Sequence, residues 1–126
     1  MNYAIVVGQN YPALGGALGA NLRYWLGVLI SSFHRGEFPL GTFLINTVGS
    51  FLLGLTVSIT ASRVLSENYY LFFAVGVLGA FTTFSTFELD TFKLVSANKV
   101  AYAFLNAFGS LVAGYIALVV GAKIGR

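Results

Sequence analysis

A chain of 126 residues in which 57% are apolar and only 9% are charged does not have water as its main solvent, since a soluble domain carries about 25% charged residues. Its formal charge of +3 comes from seven basic residues scattered singly, without the basic patch that marks a nucleic-acid partner. With no cysteine, one histidine and four carboxylates, the chain excludes disulfides and thiolate chemistry. No Ser/His/acid set, metal-ligand cluster or phosphate loop can be assembled from it either, so an enzyme is not expected.

A helix that crosses about 30 Å of hydrocarbon needs roughly 20 mostly apolar residues. The expectation is therefore an all-α integral membrane bundle, one domain over 1–126 with four transmembrane helices and little connecting chain. No short apolar segment with a small-residue cleavage site opens the sequence, so the N-terminus reads as part of the mature protein. The first apolar stretch covers about 4–30, interrupted by Gln9, Asn10 and Pro12, and ends in the polar run from Ser31 to Glu37. The second covers 40–61 and stops at Ser62-Arg63; the third covers 69–95 with a polar interruption; the fourth covers 100–122 and is closed by Lys123 and Arg126. Short connections predict antiparallel neighbours. Four pairs of small residues four apart, Gly15/Gly19, Ser50/Gly54, Gly76/Ala80 and Ser110/Gly114, allow close helix approach in lipid, or simply reflect how common glycine is in membrane helices.

Orientation in a membrane follows the excess of Lys and Arg in cytoplasmic loops. Here the counts balance. Arg63, Lys123 and Arg126 lie on the side of the termini and Arg35, Lys93 and Lys99 on the other, with Arg23 inside segment one. A chain without a preferred orientation is expected to insert both ways and to form an antiparallel, dual-topology homodimer.

Polar residues in the apolar middle are costly and mark a pathway or a helix contact. Asn46 lies well inside segment two, where its amide offers either two donors to an anion or an interhelical hydrogen bond. The run Gly79-Ala80-Phe81-Thr82-Thr83-Phe84-Ser85-Thr86-Phe87 places four hydroxyl residues in five positions. Such side chains compete for backbone hydrogen bonds, so a break in the third helix is expected there, with freed carbonyls near Gly79 and Thr82 able to bind a cation. Phe84 and Phe87, three apart, share a helix face. They are either packing groups or, through their positive ring edges, partners for a dehydrated anion. Asp90 is either a protonated partner of the hydroxyl track or an interfacial group beside Lys93. Ser110 and Asn106, one turn apart, can join the same track. Arg23 either draws anions into a vestibule or snorkels to lipid phosphates, and Leu118 is expected to face lipid.

Three blocks, GGALGANLRYWL around Arg23, GTFLINTVGSFLLG around Asn46 and GAFTTFSTFELD around Phe84, occur in the order and spacing of one family. Over essentially its whole length the chain resembles the Fluc (CrcB-type) fluoride channels. The resemblance implies passive fluoride export through two antiparallel pores of a homodimer in the cell membrane, with a structural Na+ at the interface. By position, Phe84 and Phe87 match the pore phenylalanines and Asn46 the pore amide. Gly79 and Thr82 match the sodium-holding carbonyls, and Thr83, Thr86 and Ser110 match the polar track. Asp90 stands where the family usually has Glu, and Asn106 where many members have Tyr. Two rivals remain: a small dual-topology multidrug exporter, which needs a membrane-embedded carboxylate that segments one and two lack, and a non-transporting assembly protein.

Overall fold

The structure, a computed structural model, describes residues 3–62 and 65–126; Arg63, one of the charges counted above, lies outside the described residues. Every element among them is helical. α1 spans Tyr3–Phe33, α2 Leu40–Ala61, α3 Glu67–Tyr70, α4 Gly79–Phe81, α5 Phe84–Ser96 and α6 Val100–Ile124. Between α3 and α4 the chain winds as a wider π-helix over Leu71–Leu78, so the third apolar stretch is built from four pieces. Among the described residues, three runs are long and apolar enough to cross a membrane: Leu40–Ala61, Glu67–Ser96 and Val100–Ile124. α1, with 31 residues, has the length, but Asn10, Pro12, Asn21 and Arg23 dilute its apolar character.

The connections are short and chemically specified. Asn98 adopts φ 58°, the left-handed conformation that asparagine tolerates best after glycine. Behind it the Lys99 N–H donates to the Leu94 carbonyl (2.8 Å) and the Asn98 N–H to the Val95 carbonyl (3.0 Å), a Schellman closure of α5 that turns the chain into α6. At the same end Lys99 pairs with Glu37 in the α1–α2 connection. Both groups are partly exposed, so the pair contributes at most about 1 kcal/mol.

Sequence neighbours are not the closest packing partners. The intimate contacts join alternate helices, α1 with the π-helix and α2 with α6. In each pair the contacts advance in the same direction along both chains, Gly15 with Phe72 then Gly19 with Val77, and Gly54 with Leu118 then Ser58 with Ala122, so the pairs are parallel. The cause is the small-residue stripes. A methyl at Gly54 would overlap the Leu118 carbonyl and one at Gly121 the Phe51 carbonyl, while one at Gly76 would stand 2.9 Å from the Gly15 Cα. Backbones this close gain dispersion contacts that lipid does not supply. Where Gly54 and Gly121 bring α2 and α6 together, Ser58 Oγ donates to the Ala122 carbonyl at 2.6 Å.

Candidate functional site

The third segment loses its helical hydrogen bonding where the hydroxyl run begins. Thr82 is extended at φ −78°, ψ 154° and Thr83 at φ −148°, ψ 116°, so α4 stops and α5 restarts at Phe84. Inside a bilayer each backbone group freed in this way costs several kcal/mol unless something else bonds it. Asn46 of α2 meets two of them at once. Its Nδ2 donates to the Thr83 carbonyl (3.0 Å) and its Oδ1 accepts from the Thr83 N–H (2.8 Å), the pattern a neighbouring strand would supply. Thr83 then starts α5: its Oγ1 accepts from the Thr86 N–H at 3.3 Å and donates to Thr86 Oγ1 at 3.0 Å. Gly49, one turn beyond Asn46, is the seat for Thr82, since a Cβ there would collide with the Thr82 methyl. The spacing Asn46-x-x-Gly49 is thus a socket, with an amide for one threonine and a void for the other.

The same rearrangement frees the carbonyls expected to bind a cation. The Thr83 N–H goes to Asn46 instead of back to Gly79, and the Thr86 N–H goes to Thr83 Oγ1 instead of back to Thr82. Both carbonyls therefore lose their helical donors. Gly79 is itself exposed on the surface of the isolated chain.

Beside the break lies a cavity of about 450 Å3 lined by Asn46, Thr83, Phe84, Phe87 and Ser110, together with Gly79 and Thr82. None of the residues lining it carries a charge. The Phe84 and Phe87 rings have centroids 5.7 Å apart and planes inclined by 36°. Phe84 is 69% exposed, so its ring stands at the outer edge of the cavity. Amide, hydroxyl and phenylalanine side chains thus share a space whose walls are otherwise apolar. A cavity of this kind can hold a small ion through several modest contacts without binding it through a fixed opposite charge.

Four of the residues singled out in the sequence, Arg23, Thr86, Asp90 and Asn106, do not line that cavity. Thr86 and Arg23 line a second one, about 550 Å3, between α1, α2 and α5. Asp90 is there as well, and Thr42 Oγ1 donates to its Oδ2 at 2.7 Å. Charges are thus confined to the second cavity, and Thr83 is common to both. Leu118 turns inward and lines the first cavity instead of facing lipid, because the close α2–α6 approach rolls that face of α6 toward Gly54. Sequence reasoning missed Gly49 as the seat of Thr82 and Thr42 as the partner of Asp90. The three-residue interval between Asn46 and Gly49 was the available signal for the first; nothing local signals the second, since Thr42 and Asp90 lie on different helices.

Comparison with known proteins bears on this geometry. Residues 10–122 match the family model described as CrcB-like protein, Camphor Resistance (CrcB). Among curated relatives, a protein of Thermus thermophilus named fluoride-specific ion channel FluC is 46% identical over 113 residues, covering 90% of each chain. Proteins of the same name from Helicobacter acinonychis (42% identical, 88% of this chain and 89% of the relative) and Oceanobacillus iheyensis (44%, 88% and 85%) match at similar length.

Proposed function

The chain belongs to the CrcB-like family, a family of ion channels and not of enzymes, and we propose that it is a fluoride-selective channel that passes F− down its gradient through the cavity beside the Thr82–Thr83 break. It is a multi-pass membrane protein. The observation that carries the reading is the uncharged cavity in which Asn46, Thr83, Ser110, Phe84 and Phe87 converge. Fluoride is strongly hydrated, and a narrow path has to replace its water without trapping it. Hydroxyl and amide donors with aromatic edges meet that need, whereas a fixed cation would hold the ion. Thr86 and Arg23 belong to the approach: Arg23 raises the local anion concentration in the second cavity, and Thr83 links it to the first.

The conducting form on this reading is an antiparallel, dual-topology homodimer with two pores, in which α1 is the fourth crossing. Three observations support it. The loop charges balance, Phe84 is largely exposed at the cavity edge, and Gly79 with its freed carbonyl lies on the open surface. The carbonyls of Gly79 and Thr82 fit a hard monovalent cation, and two copies meeting there would provide four oxygens for Na+. That ion would satisfy the freed carbonyls and tie the two breaks together at the interface, and takes no part in moving fluoride. The multidrug-exporter alternative needs a carboxylate where the cargo binds, and the first cavity has none; Asp90, on the approach, is bonded to Thr42. Purified protein in liposomes loaded with fluoride tests the reading. Rapid fluoride efflux with chloride retained is expected, and a C-terminal tag should be reachable from both faces of the cell membrane. No fluoride efflux, or accessibility from one face only, would overturn the channel or the dual-topology part respectively.

A further inference from the structure

Among the described residues Asn106 is the one polar side chain with no exposed surface at all. It sits in the middle of a chain of polar groups that begins at the cavity. Ser110, which lines the cavity, donates to Asn106 Oδ1 at 3.4 Å; Asn106 Nδ2 donates to Thr91 Oγ1 at 2.9 Å; Thr91 Oγ1 donates to the Phe87 carbonyl at 2.9 Å. Asn106 Nδ2 also reaches that carbonyl at 3.5 Å. In the orientation these bonds define, the Ser110 proton is engaged by Asn106 Oδ1 and its oxygen lone pairs are left for the cavity.

The polarity of the chain reverses if the Asn106 amide makes half a turn about χ2. Nδ2 then donates to Ser110 Oγ, Thr91 Oγ1 donates to Asn106 Oδ1, and the Ser110 proton is released into the cavity. We propose that Asn106 is a positioning residue, a reversible amide that converts Ser110 from an acceptor into a hydrogen-bond donor for fluoride when the ion occupies the cavity. This deepens the fluoride reading above and rests on it. The distances decide why the reversal is accessible. Of the bonds given up, only Thr91–Phe87, at 2.9 Å, is short; the Ser110–Asn106 and Asn106–Phe87 contacts lie at 3.4 and 3.5 Å, beyond the range of a strong hydrogen bond. What replaces them includes a bond to an anion, roughly twice as strong as a neutral one. Without fluoride there is no such gain, and the resting orientation keeps the short Thr91–Phe87 bond. The amide thus adds a donor only in the presence of the ion, which keeps binding shallow.

The test combines a mutant cycle in liposomes with a spectrum of the wild-type protein. Ser110→Ala is expected to slow fluoride efflux about tenfold, the equivalent of one bond to an anion. On an Asn106→Asp background, where the carboxylate holds the Ser110 proton permanently, Ser110→Ala should cause no further loss. On an Asn106→Leu background, which leaves the hydroxyl free to turn, it should still slow efflux. In the nuclear magnetic resonance spectrum of the wild-type protein, the side-chain amide signals assigned to Asn106 by their loss in Asn106→Leu should shift on fluoride addition, and this shift should vanish in Ser110→Ala. That spectrum needs no folded Asn106→Asp. Equal losses from Ser110→Ala on the wild-type and Asp backgrounds, or amide signals indifferent to fluoride in a protein that conducts it, would overturn the relay and leave the channel reading standing. A wild-type protein that passes no fluoride overturns the channel reading, and the relay falls with it.

Discussion

Along the α2–α6 crossing both helices run unbroken and meet through Gly54 and Gly121, with one side-chain bond from Ser58 to Ala122. In the third segment, by contrast, the helix opens at Thr82–Thr83 and a side chain from α2, Asn46, completes its hydrogen bonding. The first region is stable because every group is satisfied locally and shape does the rest. The second is satisfied by a residue 37 positions away, so its geometry is held only while α2 and the third segment stay docked. The proposed conduction path uses the second kind of place, since exposed backbone groups exist only where the helix is not closed on itself.

That contrast predicts different failures in the two regions. Asn46→Leu, similar in volume, removes both bonds to Thr83 and leaves a buried N–H and carbonyl unpaired. At about 1–3 kcal/mol for each group, it should lower unfolding stability by about 2–6 kcal/mol and abolish fluoride efflux. A variant that keeps wild-type stability would mean that the break closes by other means. Gly121→Ala pushes a methyl into the Phe51 carbonyl and should cost about 1–3 kcal/mol by overpacking. It should reduce the yield of folded protein while leaving the rate per folded protein close to wild type. Thr83→Val removes the hydroxyl that caps α5 and should cost about 1 kcal/mol, seen as a modest fall in Tm with slower efflux. Ile116→Leu, on the exposed face of α6, should change stability by less than about 0.5 kcal/mol and serves as the reference.

The two regions also differ in how far they could be read from sequence. The place of the break was legible: Gly76, Gly79 and the hydroxyl cluster name it, because those residue types favour non-helical bonding wherever they crowd together. Its closure was only half legible. Asn46 stood out as an amide at depth, with anion binding and interhelical bonding both open, and the structure shows it bonded twice to Thr83 while still lining the cavity. The π-helix over Leu71–Leu78 left no mark, since its apolar run fits either winding. For the scaffold, the small-residue pairs announced close packing but not with whom. Connection length pointed to antiparallel neighbours, whereas the glycine stripes pair α1 with the π-helix and α2 with α6 in parallel, a matter of shape between helices distant in sequence. Thr86 and Arg23, grouped with or near the pore residues by position, belong to a separate cavity between α1, α2 and α5, helices whose approach no local pattern announces.

The most direct measurement is fluoride efflux per folded protein for Phe87→Ile and Phe84→Ile set beside Gly121→Ala in the same liposomes. Isoleucine keeps most of the apolar volume and removes the ring edge, so both phenylalanine variants should remain folded and lose about tenfold or more in rate, the equivalent of at least 1.4 kcal/mol, while Gly121→Ala conducts like wild type. Folded phenylalanine variants that pass fluoride at the wild-type rate would contradict the claim that the aromatic edges beside the break form the fluoride path.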